Sequence, residues 1–265
     1  MPNPSNIKSP ISLVAYGRSG TSLLFKAFQQ CGNIDCLGET ANLVFTSWRA
    51  LEHIEGLTRY RGFNEGHYQK DAGRLVRNAF SSVFPSEHEL WMHKPIGTPK
   101  VLWEFPQNKI DEFVDWYWMA FNNSFPESRT FAVIREPRDV FLSARGYWDF
   151  PKDQIWKTQW IMYKILAHPE AKLRNIVFYE ELVQEPEKIM RGLMKDLDLP
   201  FSEDMLAAFG NLHVPESKDA AKADQVLDQK KSKGFSRQDQ WAEIEITEMA
   251  TKALAAYDAL HTRSS

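Results

Sequence analysis

Short apolar runs alternate with amphipathic stretches along most of this chain. Ile11–Tyr16, Leu90–His93, Thr130–Ile134 and Ile176–Tyr179 are apolar at nearly every position, the pattern of strands covered on both faces, and a further short strand is expected near Ile34–Leu37. Helical spacing of apolar residues predicts helices near Thr21–Gln30, Asp71–Phe84, Ile110–Phe121, Asp139–Tyr147, Gln154–Leu166, Pro186–Leu197 and Ile244–Leu260. Strands alternating with helices imply an α/β fold of three layers, with a mainly parallel central sheet between helices. Asn211 to Gln240 breaks the pattern, with little apolar periodicity and many charges; a long surface loop of this kind is expected to act as a lid. A single domain over residues 1–265 is expected, with residues 1–10 as an N-terminal tail.

The most informative junction is ISLVAYGRSGTSLL, Ile11 to Leu24. An apolar run breaks at Gly17, and Gly17-Arg18-Ser19-Gly20 leads into a helix opened by Thr21 and Ser22. The first backbone N–H groups of a helix have no internal partner, and the helix dipole places partial positive charge there. Arg18 adds full charge, and Ser19, Thr21 and Ser22 add hydroxyl donors, so the junction suits a phosphate. It is not the ATP/GTP loop G-x-x-x-x-G-K-[ST], because Ala15 stands at the first glycine and Thr21 at the lysine. A second segment, TFAVIREPRDVFLSARGY, repeats the architecture. An apolar strand ends at Arg135, Pro137 stops its continuation, Asp139 is expected to cap the next helix, and Ser143 lies eight residues beyond Arg135, where the two can converge on one phosphate. The alternative is that Arg135 and Arg138 are surface ion-pairing residues beside Glu136 and Asp139.

G-R-S-G-T-S followed by R-x-P-R-D-x-x-x-S resembles the 5′-phosphosulfate and 3′-phosphate motifs of sulfotransferases. This resemblance implies a P-loop NTPase-like fold, with 3′-phosphoadenosine-5′-phosphosulfate (PAPS) as sulfuryl donor, adenosine 3′,5′-bisphosphate (PAP) as product, and no required metal. It assigns donor binding to Gly17, Arg18, Ser19, Gly20, Thr21, Ser22, Arg135 and Ser143. NIVFYEEL with Glu185-Pro186 resembles a later strand of the family, whose tyrosine meets the adenine; Tyr179 matches it, and the alternative is that it packs the sheet end. Lys231-Ser232-Lys233-Gly234 with Trp241 resembles the basic segment that closes over the nucleotide, with Lys231, Lys233 and Gly234 as donor-binding residues and a slightly altered spacing to the tryptophan.

In the carbohydrate-type branch of the family, a glutamate just beyond the first helix is the base, and Glu39 in CLGETANLVF matches it. Desolvation would raise its pKa towards neutrality. Lys94, in WMHKP, matches a lysine that reaches the transferring group, while His93 is the rival base by likeness to the small-molecule branch. Arg18 would join Lys94 in offsetting charge on the leaving oxygen. Neighbours on a strand point to opposite faces, so His93 and Lys94 are not expected to face the site equally.

Net charge is −3 over 265 residues, without the basic excess expected of a nucleic-acid reader. Nor is there a run of eighteen apolar residues, so neither a membrane span nor a nucleic-acid partner is expected, and with no leader-like pattern at Met1 to Pro10 the expected location is cytoplasmic. Cys31 and Cys36 are expected to be buried free thiols. Seven of the nine tryptophans lie between Trp91 and Trp160; about half are expected in the core and the rest against an acceptor. A hydroxyl or amine of a small molecule or a glycan is the expected acceptor, with the oligomeric state open. The alternatives are a P-loop nucleotide or small-molecule kinase and a non-catalytic nucleotide-binding protein.

Overall fold

A computed structural model describes residues 10–53, 65–83, 90–95, 102, 105, 108–210 and 237–264. Among the described residues, five strands form one sheet: β1 (Ile11–Val14), β2 (Ile34–Glu39), β3 (Leu90–Lys94), β4 (Arg129–Ile134) and β5 (Asn175–Phe178). Their order is β2-β3-β1-β4-β5, and every pairing is parallel. β1 is central: Ile11 pairs with Met92 on one side and Arg129 on the other.

Strand alternation divides the core between two faces. Leu13, Met92, Phe131 and Val133 pack with Leu24 and Phe28 of α1 (Thr21–Gln29). Val14, Trp91, Ala132 and Ile134 face the opposite layer, with Phe45 and Trp48 of α2 (Ala41–His53), Phe80 of α3 (Glu65–Val83) and Tyr117 and Phe121 of α4 (Ile110–Ser124). This confirms the three-layer α/β architecture. α4 is buried on nearly every face, which places Trp116 and Trp118 in the core. Trp91 and Trp156 are buried as well, Trp148 and Trp160 are half-buried, and Trp103 lies outside the described residues.

The chain continues through α5 (Pro137–Arg145), α6 (Lys152–Ala167), α7 (Tyr179–Gln184), α8 (Pro186–Asp196) and α9 (Glu248–Ser264). Four expectations need correction. α2 was not anticipated, although Val44, Phe45 and Trp48 have helical spacing and are fully buried. Tyr179 begins a helix rather than ending a strand. The cap of α5 is Glu136, whose carboxylate accepts from the Arg138 and Asp139 amides at 2.8 and 3.3 Å, and not Asp139. Cys31 and Cys36 are free thiols, half-buried rather than buried. No helix among the described residues is long and apolar enough to cross a membrane.

Candidate functional site

In an open parallel sheet, ligands bind beyond the carboxyl ends of the strands, where the strand order reverses. The candidate residues stand at those ends. Glu39 closes β2, Lys94 closes β3, the Gly17–Gly20 loop follows β1, Arg135 follows β4 and Tyr179 follows β5.

The loop after β1 is built for close approach. Gly17 lies against the indole of Trp148, where a Cβ would come within 2.6 Å of the ring. Gly20 has φ +96°, and a Cβ there would meet Tyr179 at 2.3 Å. Gly20 is also the N-cap of α1 and makes no side-chain cap bond; Leu23 N–H donates to the Gly20 carbonyl at 3.0 Å, so the amides ahead of Leu23 are those an anion could meet. The Ser19 hydroxyl is buried without a hydrogen-bond partner; Thr21 is buried and Ser22 exposed.

Arg18 crosses from this loop to the second motif. Its Nε donates to the Ser143 hydroxyl at 3.1 Å, and its guanidinium lies 4.4 Å from the Tyr147 ring centre. The two motif segments, 125 residues apart, therefore meet through one hydrogen bond. Arg18 itself has φ +71°, a left-handed conformation costing a non-glycine residue about 1–2 kcal/mol. Burial lowers its pKa, and the Arg135 and Arg237 cations push the same way. Arg237, which the sequence motifs did not single out, has its backbone N–H on Asp139 at 3.0 Å, and its own pKa is lowered by burial and then by Arg135.

Arg135 ion-pairs with Asp139 at 3.3 Å and lies over the Tyr179 ring at 4.6 Å. Arg138 pairs with Glu136 at 2.7 Å. The ion pairs envisaged as the alternative are present, but the Arg135 side chain is only 11% exposed and is buried within the strand-end cluster rather than on the open surface. Tyr179 packs against both Gly20 and Arg135.

At the other end of the site, Glu39 and Lys94 are cross-strand partners. Lys94 is buried, its ammonium 4.5 Å from the Phe25 ring centre; burial lowers its pKa, opposed by the charge of Glu39. Glu39 is exposed, so the desolvation expected for it is not supplied by its surroundings here. His93 points into the opposite layer. Its ring is fully buried, with Nε2 2.6 Å from Ser12 Oγ and Nδ1 2.8 Å from Thr40 Oγ1. Both ring nitrogens are occupied and Phe121 stacks on the ring, which argues against His93 as the base and for a structural role. Lys231, Lys233 and Gly234 lie outside the described residues.

No family model matches the chain, and no curated protein matches it by sequence. Solved structures do. The sulfotransferase domain of the Synechococcus PCC 7002 olefin synthase superposes with a TM-score of 0.54 at 15% identity, covering 95% of this chain and 94% of that one. The chain has the sulfotransferase fold. The sulfotransferase domain from the curacin biosynthetic pathway gives a TM-score of 0.51 at 14% identity over 95% and 98% of the two chains. A sulfotransferase from Alicyclobacillus acidocaldarius gives 0.51 at 12% over 96% of each. In this sulfotransferase fold the Arg18 loop, Arg135 and Ser143 form one cationic rim, and Glu39 and Lys94 stand on neighbouring strands at its edge.

Proposed function

We propose that this protein transfers a sulfuryl group from PAPS to a hydroxyl or amine of a small-molecule or glycan acceptor. The observation that carries the reading is the Arg18–Ser143 hydrogen bond, which joins the two phosphate-binding segments at the strand ends of a sulfotransferase fold. The residues present suit the donor. A partnerless buried Ser19 hydroxyl, uncapped first-turn amides and Arg18 would hold the 5′ end. Arg135, Ser143 and Arg237 would hold the 3′-phosphate.

When bound, PAPS supplies an activated sulfuryl group and a phosphate leaving group. The protein's part is then positioning and electrostatics. Lys94, on its half-apolar perch beside Phe25, supplies positive charge at the edge of the loop. Glu39, across the strand pair from Lys94, is the group assigned to take the acceptor's proton, and an acceptor seated over it would provide the missing desolvation. Trp148, with exposed Tyr147 and Phe150, forms an aromatic wall beside Gly17 against which an acceptor can lie.

Thermal unfolding with PAP, ATP, AMP and GTP, each with and without magnesium, tests donor choice. Ligand at a hundred times its Kd stabilises by about 2.7 kcal/mol. Stabilisation by PAP alone, independent of magnesium, is expected; stabilisation only by magnesium–ATP or magnesium–GTP would transfer the protein to the kinases. Glu39→Gln should leave PAP affinity within about twofold while cutting transfer by roughly a hundredfold or more. Unchanged transfer would remove Glu39 from the mechanism.

A further inference from the structure

A chain of hydrogen bonds crosses the sheet on its α4 face, in the order of the strands. The Thr130 hydroxyl of β4 donates to Ser128 Oγ at 3.1 Å, and Ser128 meets Ser12 of β1 at 2.6 Å. Ser12 meets His93 Nε2 of β3 at 2.6 Å, and His93 Nδ1 meets the Thr40 hydroxyl, just beyond β2, at 2.8 Å. Ser12, His93, Thr40 and Thr130 are all buried. A neutral imidazole offers one donor and one acceptor, so His93 can hold a hydroxyl on each side at once. The chain ends at the residue next to Glu39.

β2 is irregular at the same point. Cys36 pairs with Met92 and Glu39 with Lys94, so β2 advances three residues while β3 advances two. The extra residue falls where Gly38 has φ +80°, as at a bulge. Cys36 packs with the α1 layer and Leu37 with the α4 layer. Unbroken alternation from there would turn Glu39 towards the α4 layer and set Gly38 opposite Lys94. The shift reverses this, because a one-residue slip moves every following side chain to the other face. Glu39 then shares a face with Lys94, which lies over Phe25 of α1, and Thr40 turns to His93. In the unshifted register Thr40 would face away from His93 and leave Nδ1 buried without that partner.

We propose that His93 and Thr40 are positioning residues for Glu39, their imidazole–hydroxyl bond holding β2 in the shifted register that turns Glu39 to the Lys94 face. What Glu39 does on that face rests on the sulfotransferase reading above; where it stands does not. The Thr40 amide also donates to the Lys94 carbonyl, at 3.0 Å, so backbone and side chain of one residue bind the two strand ends together. The buried histidine then serves the site from behind the sheet, through the residue beside the base rather than as a base itself.

The Lys94 ammonium reports where Glu39 stands. Burial lowers its pKa, and the charges that oppose burial are Glu39 first and then Cys36. Titration of Lys94 by NMR of isotope-labelled lysine therefore needs neither donor nor acceptor. Glu39→Gln should lower the Lys94 midpoint. Thr40→Val keeps the side-chain shape and removes the hydroxyl; it should lower the midpoint by at least half as much, and Thr40→Ser should restore it. In the Glu39→Gln background Thr40→Val should add nothing, because no charge remains to position. A smaller shift from Thr40→Val, no restoration by Thr40→Ser, or a Thr40→Val shift undiminished in the Glu39→Gln background would overturn the inference. Where Thr40→Val does not fold, Gly38→Ala decides. The space around Gly38 is open, so an added Cβ opposes only its positive φ and hence the bulge. It should lower the midpoint too, and a midpoint unmoved by Gly38→Ala would overturn the inference. Failure of PAP to stabilise the wild-type protein would overturn the sulfotransferase reading instead and leave the register result standing.

Discussion

The buried imidazole of His93 makes stability depend on pH with a sign and size that follow from its surroundings. It is enclosed by Phe80, Phe121, Phe125 and Trp91, with no carboxylate among its hydrogen-bond partners Ser12 and Thr40. Burial drives its pKa down to about 3. In the unfolded chain it returns to about 6.5, so below that pH the unfolded state takes up a proton that the folded state refuses. Stability from this group is present above pH 6.5 and drains away as pH falls towards 3. Between pH 7 and pH 5 the loss is about 2 kcal/mol. Urea unfolding of wild type and His93→Gln at both values measures it. The variant should be less stable at pH 7, since it leaves Ser12 or Thr40 poorly matched, but the fall to pH 5 should be smaller in the variant than in wild type by about 2 kcal/mol. Carboxylates contribute equally to both proteins and cancel in the comparison. Identical falls would mean that the imidazole is protonated or solvated in the folded protein, and the structural role assigned to it would be wrong.

Two further substitutions test local geometry. Gly20→Ala combines a left-handed backbone with a Cβ aimed at Tyr179, whose ring also lies under the Arg135 guanidinium. A cost of about 3 kcal/mol, read as a Tm lowered by about 6–12 °C, is expected, and a shift under about 2 °C would show that the loop relaxes freely. Gln159 is fully enclosed in α6 with neither amide atom hydrogen-bonded. Gln159→Met should therefore stabilise by about 1–3 kcal/mol in chemical unfolding, whereas destabilisation would reveal a buried polar partner, such as ordered water.

The parts of this fold written in local pattern were the legible ones. β1, β4 and the loops after them showed as apolar runs ending in Gly17-Arg18 and Arg135-Glu136-Pro137, because fully covered parallel strands leave no polar alternation to obscure them. The opposite facing of His93 and Lys94 also followed from strand geometry alone, since neighbours on a strand point to opposite layers. α2 was equally legible in the helical spacing of Val44, Phe45 and Trp48. What local pattern does not encode is the convergence of distant groups. The Asp139 carboxylate had the chemistry of a helix cap and the position of one; only the arrival of Arg237 and Trp241, about a hundred residues on, turned it to another use. The cap fell instead to Glu136, whose longer side chain folds back onto two amides of its own helix.

The central place of β1 has a consequence for how the protein is made. The strand is made before both of its neighbours, which begin at residues 90 and 129, so its four buried residues wait for them. At ordinary translation speeds the interval between β1 and β4 is on the order of ten seconds, during which Ile11, Leu13 and Val14 lack at least one of their two neighbouring strands. Nascent chains halted before residue 129 should accordingly recruit chaperones or aggregate, and those extended past β5 should become protease-resistant together rather than in stages.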